Sequence, residues 1–255
     1  MDKLNIENRL IGLGEPIFII AEAGINHDGN ITRAHELIES AAKTGVDCIK
    51  FHTHLTSDEM LNMDDTASYL KESQYQLIKR VELSFEDHIE LKKHAEENNM
   101  IFLSTPFSRE AVDLLERVNV HAYKVGSGEL TNLPLLEHIL ARKKPLIVST
   151  GMSSFEEVAS TVSFLKDKDA SFALMQCNSR YPTPPSEVHL GVISRYKQEF
   201  NVPVGLSDHS AVNYTVFAAV PLGICIVEKH FTVSRKWPGP DQESSLEPSE
   251  LNELV

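Results

Sequence analysis

The stretch Val202–His230, VPVGLSDHSAVNYTVFAAVPLGICIVEKH, holds two apolar runs, each ending in a histidine, joined by a segment with helical periodicity. Read as strand, crossover helix and parallel strand, it sets the strands about 5 Å apart and brings His209 and His230 to one end of a sheet. Two imidazoles meeting there make a candidate divalent-metal site. A single histidine at a strand end more often caps or packs. Here Ser207 and Asp208 precede the first and Glu228 and Lys229 the second, so polar groups gather where a purely structural strand would stop.

Outward from this unit, β-rich runs near 17–21, 46–51, 100–104, 120–125, 145–149, 171–176, 202–206 and 224–229 alternate with helical segments. That regularity favours an α/β fold closed as a (β/α)8 TIM barrel over an open doubly wound sheet. The 255-residue length suits one barrel of about 250 residues. We therefore expect a single domain over 1–255, with an N-terminal extension over 1–15. In the first helix Ala34, Leu37, Ile38, Ala41 and Ala42 form one apolar face, with Asn30 or Thr32 as its cap. Ser153 or Ser154, followed by Glu156 or Glu157, offers a capping box for the fifth helix. The segment 52–82 is too long for a simple connection and predicts an irregular lid over the barrel mouth.

A barrel of this kind carries its chemistry at the C-terminal ends of its strands. Those ends supply Glu22, Asn26 and His27, then Lys50 and His52, then Ser104 and Thr105, then Lys124, Ser127 and Glu129. The later strands supply Ser149 and Thr150, then Gln176, Ser179 and Tyr181, then the histidine pair. Lys50 and Lys124 directly follow apolar strand residues in CIKF and AYKV. Either each snorkels to solvent, or the two converge with Thr105, Ser127, Ser149, Ser179 and Ser207 into a cationic, hydroxyl-lined cradle for phosphate or carboxylate. The set as a whole favours the cradle. Gly126, Gly128 and Gly151, in VGSGE and STGM, could add backbone N–H donors. Glu22 either pairs with Lys50 or holds a metal-bound water as a base, and the two roles are compatible.

A net charge of −13 argues against nucleic acid and anionic membrane as partners. The N-terminus MDKLNIENRLIGLGEP has no apolar core flanked by basic residues, and no apolar run is long enough to span a bilayer. A cytoplasmic protein is the expectation. Cys48, Cys177 and Cys225 are far apart in apolar runs without CxxC spacing, which predicts buried, reduced packing residues.

The motifs AEAGINHDG, IKFHTHLTSDEM, FLSTPFSRE, YKVGSGELTNLPLL, STGM, QCNSRYPTPPSEV, GLSDHS and EKHFT, with PGPD and SLEP, run collinearly from about residue 15 to the end. In this order and spacing the chain resembles the sialic acid synthases, the bacterial N-acetylneuraminate synthase family. The resemblance implies a metal-dependent condensation of phosphoenolpyruvate with N-acetylmannosamine to give N-acetylneuraminate and phosphate. It assigns His209 and His230 to the metal, usually Mn²⁺ with Mg²⁺ or Co²⁺ as alternatives, and gives Glu22 a water on it. Lys50, Thr105, Lys124, Ser127, Ser149, Ser179 and Ser207 would hold phosphoenolpyruvate, while Glu129, Tyr181 and Asp241 would contact the amino sugar.

The chain departs from the family pattern in three places. His52 stands where many members have Gln, which leaves the choice of amino sugar open. Pro221 replaces a usual alanine and predicts a bend or early stop in the seventh helix. Members continue into a small antifreeze-like C-terminal domain that caps the partner subunit's site in a homodimer, and we expect that domain to be absent from this chain. Two alternatives remain: the same reaction on another amino sugar, as in legionaminic acid or spore-coat polysaccharide synthesis, or a non-catalytic barrel that binds sugar or phosphate.

Overall fold

The computed structural model describes residues 3–63, 66 and 72–255. Its first elements are two short strands, β1 (Leu4–Ile6) and β2 (Arg9–Ile11), paired antiparallel. Eight strands follow: β3 (Phe18–Gly24), β4 (Cys48–Thr53), β5 (Ile101–Pro106), β6 (Tyr123–Val125), β7 (Leu146–Ser149), β8 (Phe172–Cys177), β9 (Val204–Asp208) and β10 (Ile226–His230). They lie in the order β5-β4-β3-β10-β9-β8-β7-β6. Every recorded ladder among them is parallel, and β5 packs beside β6 to bring the two ends of the sheet together. This is the expected barrel, with each of the eight predicted runs becoming a strand whose ends fall within three residues of those expected.

Two apolar layers follow from strand alternation. One face of each strand packs outward on the helices, as with Ile49, Phe51, Phe102, Val148, Leu174, Val204 and Val227 against Leu37, Leu91, Leu115, Val162 and Ile193. The other face fills the barrel's lower interior with Phe18, Ile20, Cys48, Leu103, Ile147, Ala173, Met175 and Ile226. Leu4, Ile6 and Ile11 join this inner cluster and are fully buried. The N-terminal extension is therefore a hairpin that plugs the barrel floor. Arg9 fastens it by donating to Asp47 at 3.1 Å and to the Pro16 carbonyl at 3.2 Å.

The helix caps sort the sequence alternatives. Asn30, not Thr32, caps the helix Ile31–Ala42 by accepting from the Arg33 N–H. Ser154, not Ser153, forms the capping box with Glu157 at the start of the helix Phe155–Asp167. Helix Tyr214–Ala219 gives way to a 3-10 turn at Val220–Leu222 that contains Pro221, the early stop expected of proline. Part of the expected lid, at 64–65 and 67–71, lies outside the described residues. Its described part is more regular than expected, with helices at Thr56–Glu59 and Gln74–Val81. Leu77, Ile78 and Val81 of the second pack on Ile25 in the turn after β3. No described helix is long and apolar enough to cross a membrane.

The hairpin plug should contribute measurably to stability. Ile11→Ala removes a fully buried side chain and should cost about 2–5 kcal/mol, read by urea denaturation, with the far-UV circular dichroism of the folded state unchanged.

Candidate active site

Above the apolar floor, the inward-facing strand positions turn polar. Glu22, Lys50, Lys124, Ser149, Ser207 and Glu228 are all buried within the barrel. Lys50 forms an ion pair with Glu22, donates to Thr105 Oγ1 at 3.1 Å and lies 3.7 Å from Glu228. Lys124 donates to Ser149 Oγ at 2.6 Å and lies 3.7 Å from the other Glu228 oxygen. That oxygen accepts from Ser207 Oγ at 2.9 Å. The lysines do not snorkel to solvent: they converge on a floor of alternating charge.

The charges shape one another. Burial alone would raise the Glu22 carboxyl, but Lys50, and then His52 and His230, hold it far below the usual carboxylate range. Burial alone would lower Lys50, yet Glu22 and Glu228 carry it above its ordinary value. Lys124 is pushed down by burial, which Glu228 offsets only in part. Glu22 is held by its ion pair with Lys50, and one Glu228 oxygen is buried without a hydrogen-bond partner, so charge rather than a completed hydrogen-bond network holds these carboxylates.

His209 follows β9 and His230 ends the adjacent β10, where it stands opposite Glu22 in the ladder with β3. The two rings meet edge to face with centroids 5.4 Å apart. His209 Nδ1 donates to the Asn178 carbonyl at 2.6 Å, which leaves Nε2 to accept, here from the Tyr181 hydroxyl at 3.0 Å. Burial, and then His209, hold His230 well below the usual imidazole range, so it stays neutral. His230 Nδ1 is buried without a partner. Burial alone would lower His209, yet Cys177 and the Asn178 carbonyl raise it above the usual imidazole range, so it gives up its proton when an ion binds. With that ring fixed by a carbonyl and the other bearing an unpartnered buried nitrogen, the pair fits a borderline divalent ion. Among the described residues no third His, Cys, Asp or Glu joins them in one ligand cluster. The remaining positions would fall to water or substrate, as in open metal sites.

The rim carries the other expected residues. Gly151 N–H donates to Ser127 Oγ at 3.1 Å. A Cβ on Gly151 would stand 2.5 Å from Ser179 Oγ and 2.8 Å from Ser127 Oγ, so a side chain here would push both hydroxyls aside. Glu129 accepts from Asn132 at 2.6 Å. Tyr181, 48% exposed, stacks on His209 with centroids 4.0 Å apart. Asp241 is raised from 3.8 to about 6 by burial and by Glu22. His52 reaches Glu22 at 3.3 Å and packs edge-on against Phe107, whose face stacks on His54. A cavity of about 470 Å³ opens beside Gly151 and Ser179, and one of about 540 Å³ beside Phe107 and Glu129.

Three site residues escaped the sequence reading. Glu228 joins both lysines, and its place two residues before His230 on a strand was the signal that it faces inward. Cys177 is buried and free as expected, but it lines the site, 3.9 Å from His209 Nδ1 and 3.5 Å from Ser127 Oγ. It follows Gln176 at a strand end, a position that marks it as more than packing. Phe107 offers no such signal, because aromatic residues beyond a strand end usually pack.

A NeuB family model matches residues 37–255. The N,N'-diacetyllegionaminic acid synthase of Campylobacter jejuni is 41% identical over 92% of this chain and 73% of its own length. The N-acetylneuraminate-9-phosphate synthase of Homo sapiens is 36% identical over 97% of this chain and 70% of its own. Among solved structures, the N-acetylneuraminic acid synthetase of Leptospira borgpetersenii, in complex with citrate, superposes with a TM-score of 0.92 at 32% identity. That superposition covers 99% of this chain and 86% of the other.

Breaking the charge floor should destabilise the chain. Lys50→Met leaves Glu22 buried without its counter-ion and should cost about 3–5 kcal/mol in chemical denaturation, whereas Lys50→Met combined with Glu22→Gln should recover most of that loss.

Proposed function

The chain belongs to the NeuB family, and from that premise we propose that it condenses phosphoenolpyruvate with an N-acetylated amino sugar, giving a sialic-acid-type sugar acid and phosphate. The observation that carries this reading is the buried Lys50–Lys124 floor beneath His209 and His230. An anion with phosphate and carboxylate at opposite ends needs two cationic donors close together, and a buried site strengthens both contacts. We take N-acetylmannosamine as the sugar, with N-acetylneuraminate as product. The diacetamido sugar of legionaminic acid is the second reading, favoured by the 41% identity to a synthase named for it.

In this scheme Lys50 and Lys124 turn from the glutamates to the incoming phosphate and carboxylate. Thr105, Ser127, Ser149, Ser179, Ser207 and the Gly151 N–H orient the anion. The enol carbon forms the new C–C bond to the sugar's aldehyde carbon, whose oxygen takes up a proton. Water adds at C2 of the phosphoenolpyruvate skeleton, and the C2–O bond to phosphate then breaks. Glu22 orients that water, and it becomes a stronger base as phosphate draws Lys50 away from it. Glu129, Tyr181 and Asp241 receive the sugar's hydroxyl and acetamido groups. A divalent ion held by His209 and His230, with Mn²⁺ as the expected metal, would supply Lewis acidity towards the aldehyde when bound. We further propose that the protein works in the cytoplasm as a homodimer.

Phosphate release from phosphoenolpyruvate with Mn²⁺ and either amino sugar tests the reading, and no release or binding of phosphoenolpyruvate would end it. His209→Ala and His230→Ala should each abolish turnover and Mn²⁺ binding while leaving the circular dichroism spectrum intact. Lys124→Met should weaken phosphoenolpyruvate binding by about 1.5–3 kcal/mol, a factor of roughly ten to a hundred, and leave sugar binding unchanged.

Asp241 sets a pH dependence. Its carboxyl keeps its proton up to about 6, so sugar affinity should rise with pH through that value and level off above it. Asp241→Asn should flatten the profile. The folded state holds a proton that the unfolded chain has already lost. Stability from this group is therefore present at low pH and is lost as pH rises from 3.8 to about 6.

A further inference from the structure

Strand alternation turns Glu228 and His230 into the barrel and leaves Lys229 facing the helix layer, where it is completely buried. Its ammonium donates to Asp208 Oδ2 at 3.1 Å, to the Ser210 carbonyl and to the Val212 carbonyl at 3.1 Å. An ammonium has three protons to donate, and each has a partner. Asp208 stands opposite Lys229 in the β9–β10 ladder. It accepts from the Ser210 N–H at 2.9 Å, from Ser210 Oγ at 2.8 Å and from Thr215 Oγ1. None of these groups reaches the barrel interior, and the proposed chemistry uses none of them.

The placement of this network gives it a role. Lys229 immediately precedes His230, and Asp208 immediately precedes His209. The two carbonyls that Lys229 holds belong to the turn by which the chain leaves His209. An apolar pair of the same volume would fill the space at lower desolvation cost, but it would exert no directed pull on that turn. We propose that Lys229 and Asp208 are positioning residues, a buried strut that sets the spacing and orientation of His209 and His230 as metal ligands. This rests on the reading of the two histidines given above. The strut acts from behind the strands, and it ties the backbone of one ligand to the backbone of the other.

The test uses the full chain and two readouts: Mn²⁺ affinity by electron paramagnetic resonance titration, and phosphoenolpyruvate affinity by calorimetry without metal. Lys229→Met combined with Asp208→Asn removes both charges together, so neither is left buried alone. The double variant should melt near the wild-type temperature, bind phosphoenolpyruvate as the wild type does, and lose roughly 10- to 100-fold in Mn²⁺ affinity. Thr215→Val serves if the double variant does not fold. It leaves the ion pair intact, removes one donor to Asp208, and should weaken Mn²⁺ alone by a smaller factor. Wild-type Mn²⁺ affinity in the folded variant, or equal loss for both ligands, would overturn the strut while leaving the proposed reaction standing. A wild-type chain that binds no Mn²⁺ would overturn the metal reading and the strut together.

Discussion

The molecule depends on the exchange of charge among Glu22, Lys50, Glu228 and Lys124 inside the barrel. Each of these groups would be costly alone in a dry interior, and each is tolerable because the others are there. That mutual dependence also fixes the register. A slip of one residue in β3, β4 or β10 would turn a carboxylate or an ammonium out among the apolar helix faces and put an apolar side chain in its place. Fold and site thus constrain each other: the strands bring the charges together, and the charges penalise any other pairing of the strands.

The segment Glu228–Lys229–His230 compresses this logic into three residues. Its first and third members face inward, one bridging the lysines and the other standing beside His209, while the middle member reaches outward to Asp208 and the turn beyond. Three consecutive polar residues in a buried strand would be untenable if all faced an apolar layer. The alternation of the pleat distributes them between two separate polar networks, of which the outward one is fully hydrogen-bonded at Lys229.

How much of this was legible in the sequence depends on the length scale of each signal. The eight barrel strands announce themselves as apolar runs recurring between amphipathic helices, and the two histidines end adjacent members of that series. The hairpin was not legible, because Leu4–Ile6 and Arg9–Ile11 are three residues each, too short for a period to declare itself. The convergence of Lys50 with Glu22 was anticipated as one alternative. That Lys124 and Lys50 share Glu228 was not, since the contact joins strands far apart in sequence. Cys177 reads as packing when taken alone, and only the fold puts His209 and Ser127 beside it. The choice between Asn30 and Thr32, or between Ser153 and Ser154, turns on backbone angles that short polar clusters leave undetermined.

The hairpin under the barrel has a kinetic consequence. With Leu4, Ile6 and Ile11 sealing the lower interior, the barrel is a cup with one opening, and the charged floor lies below the rim residues that would meet a second molecule. Whatever occupies the floor has to arrive before the mouth is filled and cannot leave until the mouth is cleared. On the proposed reaction, with one substrate on the floor and the other at the rim, depth in the cup would impose a compulsory order of addition and release: steady-state kinetics should be sequential, and an excess of the rim ligand should inhibit by trapping an empty floor beneath it.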